Sequence, residues 1–183
     1  MPIGLGLLFL RANAAAVEPQ YEVLHDFVPY PQGASPKTGV VEGSDGSFYG
    51  TTASGGAYGS GTIFRFEPGS GVTTLHSFKE SDSFQTESPW PEAGIIEGSD
   101  GSFYGVTAAG GGSRKGTIFK FVAGSGLRTL HSFQGTEGSE PRGVIEAHDG
   151  SLYGTTGYGG TYGKGTIFKF AVGSGLTMLY SFQ

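Results

Sequence analysis

Ser44-Asp45-Gly46-Ser47-Phe48-Tyr49-Gly50 recurs unchanged as Ser99-Asp100-Gly101-Ser102-Phe103-Tyr104-Gly105. It returns as His148-Asp149-Gly150-Ser151-Leu152-Tyr153-Gly154. A block returning about every fifty residues marks a tandem repeat, with one supersecondary unit per copy. The flanks repeat as well. Upstream stand Gly39-Val40-Val41-Glu42, Gly94-Ile95-Ile96-Glu97 and Gly143-Val144-Ile145-Glu146. Downstream, Gly61-Thr62-Ile63-Phe64-Arg65-Phe66 returns at Gly116 to Phe121 and at Gly165 to Phe170. Gly-Ser-Gly turns follow at Gly69, Gly124 and Gly173. Each copy closes on Leu75-His76-Ser77-Phe78, Leu130-His131-Ser132-Phe133 or Leu179-Tyr180-Ser181-Phe182.

Each unit reads as four strands. In the first copy they are Gly39 to Gly43, Ser47 to Thr52, Gly61 to Glu67 and Val72 to Phe78. Asp45-Gly46 reads as a two-residue hairpin turn of the positive-φ kind. Alternation in Thr62-Ile63-Phe64-Arg65-Phe66 puts apolar groups on both faces. A sheet apolar on both faces suits packing between two neighbours. The expected fold is all-β: three four-stranded antiparallel β-propeller-type blades plus one extra N-terminal strand. The units span about 28–78, 79–133 and 134–182 within a single domain at 17–183. Tyr21-Glu22-Val23-Leu24-His25-Asp26-Phe27 matches a fourth strand and reads as an orphan outer strand at 21–27. Three blades are fewer than an ordinary propeller ring uses. The expectation is therefore a piece of a longer repeat protein, a ring closed by several copies, or head-to-tail stacking. The orphan strand (Tyr21, Val23, Leu24, Phe27) and the last strand (Leu179, Phe182) are the candidate assembly edges.

Composition narrows the function classes. The 183 residues include 35 Gly, which fits many tight turns between short strands. With 11 basic and 16 acidic residues the net charge is −5, so no nucleic-acid partner is expected. The chain has no cysteine, which excludes disulfides and thiolate metal sites. Ile3 to Leu10 is an apolar run followed by Arg11 and Ala12-Asn13-Ala14-Ala15-Ala16. This reads as a degenerate secretory leader or tail at 1–16, too short to span a membrane. Secretion or cell-surface display is the expected location.

The run DGSFYGTT, GG, GTIFKF, GSG, LHSF resembles the GloVer-type tandem repeat of secreted bacterial proteins. The resemblance covers Tyr21 to Gln183. It implies an exported, propeller-like repeat protein, often tethered to the cell surface, and it carries over no catalytic residue.

Candidate chemistry is sparse. Asp45, Asp100 and Asp149 offer one carboxylate per turn, which suits turn formation better than calcium. The turn is similar to the Asp box of sialidase propellers but lacks its spacing and tryptophan. His25, His76 and His131 share a strand position taken by Tyr180 in the last copy, which argues against a metal ligand. Gly160 to Thr166 fails as a phosphate loop, because Lys164 precedes Gly165 and no helix follows. No metal, cofactor or catalytic residue is expected. The candidate ligand residues are loop aromatics: Tyr58, Tyr158, Tyr162, and Trp90 on the long unrepeated loop Lys79 to Ala93. The leading expectation is a secreted, non-enzymatic scaffold that self-assembles or binds a surface. A carbohydrate-binding module using these aromatics is the first alternative. A propeller-type glycoside hydrolase is the second, although the repeated acids give no asymmetric acid/base pair.

Overall fold

The structure is a computed structural model and describes residues 32–79 and 93–183. The orphan strand 21–27, with Tyr21, Val23, Leu24 and Phe27, and Trp90 lie outside the described residues. Twelve strands form three four-stranded antiparallel meanders. Blade 1 holds β1 (Val41–Glu42), β2 (Phe48–Thr52), β3 (Thr62–Glu67) and β4 (Gly71–Ser77). Blade 2 holds β5 (Ile96–Glu97), β6 (Phe103–Thr107), β7 (Thr117–Val122) and β8 (Gly126–Ser132). Blade 3 holds β9 (Ser139–Glu146), β10 (Leu152–Tyr158), β11 (Thr166–Ala171) and β12 (Gly175–Ser181). No helix among the described residues is long and apolar enough to cross a membrane.

The hairpin between β1 and β2 differs from the two-residue turn read in the sequence. Gly43 N–H donates to Ser47 O at 2.8 Å, so Ser44, Asp45 and Gly46 form a three-residue loop. Only Gly46 takes positive φ, at 77°. Asp45 Oδ1 accepts the Ser47 N–H at 3.0 Å, a local bond typical of turn-forming aspartates. Three-residue hairpins with a left-handed glycine are the next commonest kind.

The glycine after each Phe-Tyr or Leu-Tyr pair has a packing reason. A Cβ on Gly105 would lie 2.5 Å from Phe119 Cζ and 2.9 Å from Ile95 Cγ2. Gly50 and Gly154 stand in the same relation to Phe64 and Phe168. The missing side chain admits the phenyl ring from the neighbouring strand.

Each last strand carries a bulge. Ile63 pairs with His76 but Phe64 with Thr74, leaving Leu75 as the extra residue. Leu130 and Leu179 are skipped alike. The bulge turns two consecutive side chains toward one face. Leu75 packs into the junction with blade 2, and the His76 ring lies 6.1 Å from Phe121.

The core is built from two junctions between blades. Tyr49, Ile63 and Phe78 of blade 1 meet Ile95, Phe103, Phe119 and Phe121 of blade 2. One register on, Tyr104, Val106, Ile118 and Phe133 meet Val144, Leu152, Phe168 and Phe170 of blade 3. The front faces of blades 1 and 2 thus meet the following blade, and the back faces of blades 2 and 3 meet the preceding one.

Candidate functional site: the front face of blade 3

The junctions define what a front face is made of. Tyr49 stacks on Phe103 with ring centres 4.3 Å apart. Phe78 meets Phe119 edge-on at 5.6 Å, and Phe133 meets Phe168 at 5.2 Å. Such edge-to-face pairs add about 0.5–1.5 kcal/mol beyond the area they bury. A polar clamp closes each junction. Glu97 accepts the Ser44 N–H and Oγ–H, both at 2.7 Å. Glu146 accepts the Ser99 N–H at 2.6 Å and Oγ–H at 2.9 Å. The acid of one blade's first strand thus grips the hairpin of the blade before it.

Blade 3 presents the same positions with no blade over them among the described residues. Ile63 and Ile118 are fully buried, whereas Ile167 is only half-buried. Phe78 is 1% exposed and its counterpart Phe182 is 42% exposed. Tyr153 replaces Tyr49 and Tyr104, and Ile145, 64% exposed, replaces the half-buried Val41 and Ile96. Leu179 and Tyr180 complete the patch at the bulge, both exposed. A shallow cavity of about 410 Å³ lies here, lined by Arg142, Ile145, Tyr153 and Ile167 among others. Leu179 and Phe182, the candidate assembly residues at the end of blade 3, are 51% and 42% exposed. Ile145, Tyr153, Ile167 and Tyr180 were not singled out from sequence. The repeat alignment alone could have found them, once it was known which face of each strand meets the next blade.

The acids of the turns serve each blade internally. Asp100 Oδ2 binds Lys120 Nζ at 2.6 Å and Tyr104 Oη at 2.9 Å. Lys120 holds the Asp100 carboxyl down at about 2, against an ordinary 3.8. Asp45 is lowered chiefly by the Ser47 backbone N–H, and Asp149 chiefly by Lys169. Burial, helped by the Asp100 hydrogen bond, pushes the Tyr104 hydroxyl up. His131 lies 5.1 Å from the Phe133 ring and within 3.3 Å of the Glu137 carboxylate. Among the described residues, no group of three or more His, Asp or Glu is placed to hold a metal.

Blade 3 departs from the pattern around its hairpin. Ala147 stands where Gly43 and Gly98 stand, and a Cβ at Gly98 would lie 2.5 Å from the Tyr104 ring. Even so, just as Lys120 sits 5.5 Å above the Tyr104 ring, a lysine sits over the Tyr153 ring. Lys169 Nζ lies 5.5 Å above its centre and binds Asp149 at 2.7 Å. His148 takes the place of the clamp serines Ser44 and Ser99.

The predicted ligand tyrosines are exposed. Tyr58 is 62%, Tyr158 54% and Tyr162 55% accessible. Tyr58 and Tyr162 occupy the same loop position on blades 1 and 3, with Ser113 at that position on blade 2. The loops close on themselves: Gly61 N–H reaches Gly55 O at 3.0 Å, and Ser77 Oγ accepts the Ala57 N–H at 3.1 Å. They are well-made strand connections that display a tyrosine.

Fold and junctions together define a propeller-type β-blade repeat protein. Residues 6–183 match the Gloeobacter/Verrucomicrobia repeat, and the chain belongs to that family. No curated protein matches the sequence. Among solved structures, a selenomethionine-substituted virginiamycin B lyase from Staphylococcus aureus is similar at 14% identity and a TM-score of 0.48. The match covers 79% of this chain, which spans 40% of the lyase chain.

Proposed function

We propose that this chain is a secreted, non-enzymatic repeat scaffold that self-assembles through its blade faces. One observation carries the reading: side chains that are sealed between blades twice in the chain have no blade over them on blade 3 among the described residues. A contiguous apolar surface of this kind favours association. The non-enzymatic part is supported by the state of the acids. Asp45, Asp100 and Asp149 are spent on turns and ion pairs, and Glu97 and Glu146 on clamps. The apolar run Ile3 to Leu10 before small residues supports export.

Sedimentation velocity of the full chain over a wide concentration range tests the assembly. The expected result is a species heavier than the 18.9 kDa chain that grows with concentration. A single 18.9 kDa species throughout would overturn it.

A carbohydrate-binding reading is favoured by one specific observation, the exposed Tyr58, Tyr158 and Tyr162 on or beside the strand-connecting loops. Aromatic faces displayed in this way suit stacking on sugar rings. A glycan array with the wild type and a triple Tyr→Ala variant separates the two readings. Tyrosine-dependent binding to a defined glycan supports the second, and its absence leaves the scaffold.

A further inference from the structure

We propose that the loops after β6 and β10 bind an acidic polysaccharide, with Tyr158 and Tyr162 under its sugar rings and Lys115 and Lys164 against its carboxylates. The inference rests on the carbohydrate-binding reading and names the ligand class and the site. The Glu146 clamp holds the hairpins of blades 2 and 3 at one end, so both loops emerge at the other. Contacts join the two loops. The Glu140 N–H donates to Lys115 O at 3.0 Å, and Pro141 packs on Gly116. On the same strand the Arg142 guanidinium lies against Gly157, and Ser139 pairs with Tyr158.

Charge is divided between the two ends. Beside the hairpins, Lys120 and Lys169 are neutralised by Asp100 and Asp149, 2.6 and 2.7 Å away. At the loop end Lys115 and Lys164 hold the same repeat position, are exposed, and have no carboxylate partner among the described residues. The acids near them are engaged. Glu140 accepts from Arg142 at 2.9 Å, and Glu137 accepts the Gln134 N–H at 2.8 Å and the Thr136 hydroxyl at 2.9 Å. Arg114 supplies an independent observation. Its φ is 57°, in the left-handed region, where Gly59 and Gly163 take 77° and 73°. A side chain is disfavoured there, and strain of this kind gathers at ligand sites. Blade 2 thus keeps a cation where the other two blades keep glycine. Tyr162 is held ready: the Thr161 N–H donates to Ser181 Oγ at 2.9 Å and the Gly163 N–H to Gly160 O at 3.3 Å. Exposed tyrosine faces suit sugar rings, and lysines are compact point charges that suit uronate carboxylates.

Affinity electrophoresis of the full chain tests this, in gels holding alginate, polygalacturonate or hyaluronate and in gels holding the same polymers carboxyl-reduced to neutral sugars. The net charge of −5 opposes the acidic gels, so retardation there reports a local site. The expected result is retardation by at least one uronate polymer that its reduced form does not give. The double variant Lys115→Gln/Lys164→Gln should bind that polymer at least about tenfold more weakly, as should Arg114→Gly. Arg128→Gln is the charge control; Arg128 is exposed on β8 opposite Lys120, toward the hairpin end, and its loss should leave binding as in the wild type. Equal binding to the acidic and reduced polymers would overturn the ligand class and leave the carbohydrate reading standing. Uronate binding that the loop variants do not weaken would overturn the site. Retardation by none of the six gels would overturn both the inference and the reading beneath it.

Discussion

At the scale of single residues, glycine and aspartate carry the repeat for different reasons. Gly105 exists to admit Phe119, so Gly105→Ala forces the ring or Ile95 to move. Overpacking of this kind costs about 1–3 kcal/mol. The urea midpoint of the variant is expected to fall accordingly, and an unchanged midpoint would refute the packing argument. Asp100 predicts an acid response. Its carboxyl is lowered to about 2 in the folded chain from an ordinary 3.8. A lowered folded value means that the stabilisation is complete above the unfolded value and is lost as pH falls through the folded one. Wild-type stability should therefore drop between about pH 4 and about pH 2, and Asp100→Asn should flatten that limb. Urea midpoints across this range check it; equal slopes in both proteins would contradict it. The turn role of these aspartates was legible from Asp-Gly in a repeated hairpin. Their bonds to Lys120 and Tyr104 were not, because one partner comes from a neighbouring strand and register must be known first.

At the scale of the strand and the blade, equivalent positions should not be energetically equivalent. Phe78 and Phe133 are sealed in junctions, and Phe182 is not. Phe78→Ala and Phe133→Ala should each cost about 3–5 kcal/mol, the range for deleting a buried phenylalanine. Phe182→Ala should cost under about 1 kcal/mol in dilute protein, as surface changes do. Guanidinium unfolding of the three variants side by side is the check. The clamp is separable from the rings. Glu97→Ala leaves the Ser44 donors to water and should cost about 1 kcal/mol. Hydrogen exchange should quicken at the blade 1–blade 2 junction and stay unchanged at the Phe133–Phe168 junction. The four-strand unit was legible because its blocks repeat in order and spacing. The bulges at Leu75, Leu130 and Leu179 were not, since nothing local marks which residue a strand will skip.

For the whole molecule, the repeat explains both its order and its exposed surface. Blades 1 and 2 bury their fronts on the next blade's back, and the front of blade 3 has no blade over it among the described residues. Sequence pattern announced two-faced blades and placed Leu179 and Phe182 at an edge. It did not single out Ile145, Tyr153, Ile167 or Tyr180, because alternation tells which residues share a face but not which face meets a neighbour. The direct test is light scattering after size exclusion on the wild type and Ile167→Arg at matched concentrations. Ile167 is half-buried, so the apolar stem of an arginine stays on the blade while its charged head blocks whatever docks on it. The account predicts a multiple of 18.9 kDa for the wild type and a monomer for the variant. Equal masses for both proteins, monomeric or not, would contradict the assignment of this face.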